Sequence, residues 1–319
     1  MRLILILVSL RSVCSMRLTL PLFLLLPAAA CSNLPPINPT PRDAGHSQKL
    51  GALVMAHGGD QDWNHSVEAA IQLLDEEIPV ALAYGMANPS SLSAGLTSLL
   101  NEGATHVAVV RLFLSGDSFL EQTEFLLGLS NIPPEFWVLM GPGARDPEAR
   151  QQIKSTPLIA THPYGLIESK FAGTIMRERA ASLSSSPSEE SVLIIAHGMG
   201  DEDDNEKLLR SMRHAAERVA QDGYADVQIA TLREDWAPKR IEAEQEIRRY
   251  VSEQNESGRR VLALPMRLSG FGPYREVLKG LNYSEGLALL PHKDIASWIQ
   301  DTAYDVSLSA GWDFRGRPQ

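Results

Sequence analysis

Two histidines end two matching segments of this chain. Gly51-Ala52-Leu53-Val54-Met55-Ala56-His57-Gly58 recurs in the second half as Ser191-Val192-Leu193-Ile194-Ile195-Ala196-His197-Gly198. Each copy is a short, continuous apolar run, which reads as a strand buried on both faces in a parallel sheet. Ligands of open parallel sheets bind beyond the carboxyl ends of the strands, where both histidines fall. A neutral imidazole ligates borderline divalent metals and takes up a proton near neutrality. His57 and His197 therefore point to metal ligation, general-base chemistry, or both. The alternative is structural: an imidazole at a strand end can simply hydrogen-bond a neighbouring carbonyl. Recurrence in equivalent places favours the functional reading, although duplicated halves also keep such patterns after a site decays.

The elements that must position these histidines follow the same order in each half. In the first, a helical pattern over 65–77 precedes a strand over 79–84, a helix over 89–101 and a strand over 106–114 ending in Ser115-Gly116. In the second, a helix over 205–222 precedes a strand over 227–232, a charged helix over 238–255 and a strand over 261–268 ending in Ser269-Gly270. Alternating strands and helices build parallel βαβ units. The expected fold is α/β: two similar doubly wound parallel-sheet domains, an internal duplication, with a cleft between them. The boundaries read as domains over 49–180 and 191–305, a Ser- and Pro-containing linker over 181–190, and a tail over 306–319. The acidic run Asp201-Glu202-Asp203-Asp204 reads as a helix start favoured by the helix dipole rather than a cation trap, and Asp60 and Asp62 carry the same reading. His65 is set aside as surface and His106 as structural, and Trp236 and Trp298 as packing.

The chain has 319 residues and a formal net charge of −10 at pH 7. That balance speaks against a nucleic-acid partner, which calls for a basic surface. Residues 18–30 are almost wholly apolar, too short for a permanent span, and match a secretory signal. Ala28-Ala29-Ala30-Cys31 resembles a lipobox, so residues 1–31 read as a signal peptide with Cys31 as the lipidated residue. Simple cleavage after Ala30 is the alternative, and Met16-Arg17 offers a second start. The other cysteine, Cys14, precedes the cleavage point, so neither a disulfide nor a thiolate metal site is expected in the mature chain. Residues 32–48, with Pro35, Pro36, Pro39 and Pro41, read as a tether. The expected location is outside the cytoplasm, on a membrane surface through the lipid.

A strand ending in Ala-His-Gly, followed by one ending in Phe113-Leu114-Ser115-Gly116, resembles the class II tetrapyrrole chelatases. The resemblance is closest to the sirohydrochlorin cobaltochelatases and their ferrochelatase relatives. It spans both halves and includes Ala87-Asn88-Pro89-Ser90 and Leu289-Leu290-Pro291-His292. It implies a doubly wound sheet per half, a tetrapyrrole such as sirohydrochlorin as partner, cobalt or iron as the metal, and no organic cofactor. Metal contact and base chemistry carry over to His57 and His197. The family's second histidine, shortly after the Leu-Ser-x-Gly strand end, has no counterpart: Asp117-Ser118-Phe119 and Phe271-Gly272-Pro273 stand there. Asp117, Glu121 and Glu124 in the first half and Glu276 in the second are the carboxylates expected to assist. The competing reading is a non-catalytic lipoprotein that keeps the fold and binds metal or tetrapyrrole without turnover.

Overall fold

The computed structural model describes residues 48–72, 74, 78–139 and 147–315. The signal segment, Cys31 and nearly all of the tether lie outside the described residues. β1 (Leu50–Ala56) has every residue buried, as its unbroken apolar run requires. It pairs in parallel with β2 (Val80–Tyr84) and β3 (His106–Leu112), and β3 pairs with β4 (Leu158–Ala160). The second sheet repeats the plan with β5 (Glu190–Ala196), β6 (Asp226–Thr231), β7 (Arg260–Pro265) and β8 (Ser284–Glu285). The sheet orders, β2-β1-β3-β4 and β6-β5-β7-β8, correspond strand for strand. The fold is α/β with two parallel sheets, the internal duplication read from the sequence.

The helices are α1 (Gln61–Ile71), α2 (Pro89–Asn101), α3 (Leu120–Leu126), α4 (Lys170–Leu183), α5 (Glu202–Ala220), α6 (Ala237–Glu256), α7 (Tyr274–Val277) and α8 (Lys293–Ser309). Side chains alternate across a strand, and here alternate residues enter different cores. Val54 and Ala56 face a central core shared with Val192 and Ile194 of the other sheet. Leu53 and Met55 face an outer core under α2 and α3, and Leu193 and Ile195 face one under α6 and α7. The central core also takes Ile175 and Met176 of α4, Met212 and Val219 of α5, and Ile295 and Trp298 of α8.

These central helices are exchanged between the halves. α4 leaves the first half and packs on α5 and β7, whereas α8 leaves the second half and packs on β1, β3 and α1. The described residues form one compact unit. The segment expected as a linker over 181–190 holds the last turn of α4, a 3-10 turn (Pro187–Glu189) and the first residue of β5. α8 runs beyond residue 305, into the expected tail.

Some boundaries differ from the sequence reading for local reasons. β3 and β7 stop at Leu112 and Pro265 rather than at 114 and 268. Phe113 N turns back to Arg111 O (2.8 Å), and Pro265 has no N–H with which to extend a ladder. α5 starts at Glu202 rather than 205 because Asp201 caps it, accepting from Asp203 N and Asp204 N. α1 likewise starts before residue 65, capped by Asp60. Among the described residues, no helix is long and apolar enough to cross a membrane.

Candidate functional site

β5 delivers His197 just past its carboxyl end, beside the loop that joins β6 to α6. His197 Nδ1 lies 2.8 Å from Gly198 O. A carbonyl only accepts, so Nδ1 carries the hydrogen and the neutral ring keeps its lone pair on Nε2. Nε2 in turn lies 3.1 Å from Asp235 Oδ2 and 3.9 Å from Glu234 Oε2. Two carboxylates close to Nε2 make its surroundings negative, a setting that favours a cation. Trp236 closes one side, its ring edge-on to the imidazole at 5.8 Å.

The loop carrying His197 is held from several directions. Gly198 has φ 88°, and a Cβ there would come within 2.9 Å of Arg233 N. Arg233, itself at φ 56° and buried, donates to Met199 O, to Gly200 O (3.1 Å) and to both carboxylate oxygens of Glu202 (2.9 and 3.2 Å). Lys239 Nζ donates to Gly200 O (2.6 Å), and Met199 N donates to Asn205 Oδ1 (3.0 Å). The hydrogen bonds from Arg233 and Lys239 hold the Glu202 carboxyl down at about 2. In the acidic run after His197, Asp201 is thus a cap, Glu202 pairs with Arg233 and Lys239, and Asp204 bonds Lys207 (2.7 Å).

Glu234 has a second partner. Arg267, just past β7, donates from Nη1 to Glu234 Oε1 (2.5 Å), and its guanidinium lies 5.8 Å from the Tyr274 ring centroid. Tyr274 is fully buried, and burial pushes its hydroxyl well up.

The first half shares the scaffold, but among its described residues no carboxylate pairs with the imidazole of His57. His57 Nδ1 lies 2.5 Å from Gly58 O, and Gly59 N donates to Asn64 Oδ1 (3.0 Å) as Met199 N does to Asn205. Register aligns Tyr84 with Thr231, each opposite the last residue of its central strand. Ala87 and Asn88 therefore stand where the second half has Glu234 and Asp235. Asn88 Oδ1 is committed to capping α2, accepting from Ser90 N and Ser91 N. Phe113 stands where the second half has Arg267. The neighbour of His57 is Trp63 at 6.2 Å, itself edge-on to Tyr84.

No contact among the described residues joins Asp117, Glu121 or Glu276 to either imidazole. Asp117 is exposed on the loop after β3, within the field of the buried Arg111. Arg111 pins that loop, donating to Ser118 O (2.8 Å) and His162 O (2.7 Å), and burial brings its guanidinium down to about 10. Glu121 is exposed in the first turn of α3, and Glu276 is paired with Lys279 (3.2 Å) on the surface. His106 is buried against Trp312 and Phe314, and His292 caps α8 while bonding Glu178 (3.0 Å). His162 accepts from Tyr164 N, and burial lowers its affinity for a proton. As they stand, no three His, Cys, Asp or Glu side chains among the described residues converge on a metal position.

Sequence reasoning missed Glu234, Asp235 and Arg267. Assisting carboxylates were expected after the third strand of each half; those beside His197 lie on the loop after β6, and Arg267 lies one step before Leu268-Ser269-Gly270. The signal was present in Arg233-Glu234-Asp235-Trp236, a charged cluster directly after a strand.

Residues 51–119 match the CbiX family. SirB from Bacillus subtilis, solved with Fe3+, superposes with a TM-score of 0.57 at 14% identity, covering 84% of this chain and 100% of SirB. The sirohydrochlorin chelatase SirB from Bacillus subtilis subspecies spizizenii, in complex with cobalt, gives 0.54 at 14% identity with the same coverage. The chain is CbiX-like and has the SirB fold. No curated protein matches it. The matched CbiX segment holds His57, while His197, the histidine with carboxylates beside it, lies in the other half.

Proposed function

We propose that this protein is a sirohydrochlorin-chelatase-like metal handler that works through its second half. His197 Nε2 binds a divalent ion, Glu234 and Asp235 supply oxygen donors, and the ion is passed to a tetrapyrrole. The observation that carries this reading is the placement of two carboxylates 3.1 and 3.9 Å from His197 Nε2, a setting that favours a cation. Both solved neighbours hold a metal, iron in one and cobalt in the other. Insertion must also remove two pyrrole N–H protons. Once the ion has left Nε2 for the macrocycle, the freed Nε2 lone pair can accept one of these protons, and Asp235, the more exposed of the two carboxylates, has room to take the other. Co2+ and Fe2+ both suit a mixed nitrogen and oxygen site. The reading includes export and anchoring through Cys31, which sets the chemistry at a membrane surface outside the cytoplasm.

One observation favours a second reading, binding without turnover. Each half offers one imidazole at its site, and Glu234 is engaged by Arg267. The test is metal insertion by the purified full chain mixed with sirohydrochlorin and Co2+ or Fe2+, followed by absorbance against a protein-free control. Acceleration supports the chelatase. A control-like rate with a stoichiometric spectral shift supports the binder, and neither signal rejects both.

A further inference from the structure

We infer that Arg267 is a resident counter-ion of the His197 site, holding by its own charge the place that a metal ion must take. The inference rests on the reading of this site as a metal binder and concerns how binding there is controlled. Glu234 turns Oε1 to Arg267 (2.5 Å) and Oε2 toward His197 Nε2 (3.9 Å). The carboxylate therefore bridges a permanent cation and the ligand nitrogen. Glu234 is only 12% exposed, so its charge is poorly screened and needs a partner in the metal-free protein. A guanidinium stays charged throughout the accessible pH range, so it satisfies Glu234 at any pH.

A divalent ion arriving at Nε2 competes with that guanidinium for the same carboxylate. It also meets the repulsion of a positive charge held one carboxylate away. Arg267 is not stranded if Glu234 turns to the metal, because the Tyr274 ring lies within cation–π range of it. Exchange is thus easier than breaking an isolated buried ion pair. The first half gives the internal contrast. Phe113 fills the position of Arg267 and Ala87 that of Glu234, so carboxylate and counter-ion are both present or both absent. Arg267 touches neither metal nor tetrapyrrole in this account; it acts through Glu234.

The experiment is calorimetric titration of Co2+ alone into the purified full chain and its Arg267→Gln, Glu234→Gln and doubly substituted variants. Removing a competing charge at this range raises cobalt affinity roughly tenfold in Arg267→Gln. Arg267→Lys, which restores a cation, returns the affinity toward wild type. In the Glu234→Gln background the Arg267 substitution has a much smaller effect, because the shared carboxylate is gone. If Arg267→Gln does not fold, Arg267→Met keeps the side-chain length without the charge and serves instead. Unchanged or weaker binding in the Arg267 variant, with wild type binding normally, overturns the inference and leaves the metal reading standing. That result would mean Arg267 only positions Glu234. Absence of cobalt binding by every folded variant, wild type included, overturns both.

Discussion

His197 and His57 share a strand end, a glycine and a bond from Nδ1 to a carbonyl, so their difference lies in what faces Nε2. Glu234→Gln removes a charged, poorly screened oxygen donor and should weaken cobalt binding by about tenfold or more. Asp235→Asn should cost less, about two- to fivefold, because Asp235 is 73% exposed and its interactions are screened. Both are read by calorimetry with Co2+. Gly198→Ala should destabilise the protein by about 2 kcal/mol, the cost of a left-handed residue plus contact with Arg233. Urea unfolding measures that loss, and cobalt affinity should fall with it as the His197 loop shifts. The histidines were legible in the sequence because each ends an apolar run at the same dipeptide. Glu234 and Asp235 were not, because their approach to His197 depends on the β5–β6 register, which no local pattern encodes. The loops holding Ser118 and Gly272, where the resemblance implied a second histidine, have none.

Among the elements, the turn from α4 into β5 is stapled by Glu190. Its buried carboxylate accepts from Ser184 Oγ, from Ser185 N (3.1 Å) and from Arg260 Nη1 (2.9 Å). Burial pushes this carboxyl up, but the hydrogen bonds from Ser184 and Ser185 and the charge of Arg260 outweigh it, leaving it below the usual glutamate range. A carboxyl whose folded pKa is depressed stabilises the protein above its unfolded pKa and loses that contribution as pH falls through the folded value. Unfolding free energy should therefore decline on acidification below the ordinary glutamate range. Glu190→Gln should be less stable at neutral pH and show a shallower acid dependence, as urea unfolding across a pH series would reveal. The βαβ order and strand positions were legible from apolar periodicity. The role of this segment was not, because Ser184-Ser185-Ser186-Pro187 has the composition of a linker while its serines serve as hydrogen-bond donors.

For the whole molecule, the exchange of α4 and α8 makes the halves interdependent. Deleting residues 293–319 removes Ile295, Trp298, Ile299, Ala303 and Val306 from the central core. Burial of each large apolar side chain contributes about 1.5–3 kcal/mol, and ordinary domains have only about 5–15 kcal/mol in total. The truncated chain should fail to fold, and residues 48–183 alone should lack the dispersed amide resonances of a folded domain. An independently folded first half would contradict the exchange. The pairing of helix with sheet could not be read from sequence, since an amphipathic stripe shows that a helix is buried without naming its partner. The same exchange ties the CbiX-like first half to the charged site in the second.

The proposed function makes His197, not His57, the metal-binding histidine. It is tested most directly by titrating Co2+ into the full-length His57→Ala and His197→Ala variants and following the visible ligand-field bands. His57→Ala is expected to bind cobalt like wild type, and His197→Ala to lose the bands. Retained binding in His197→Ala, with loss in His57→Ala, would contradict it and place the working site in the first half.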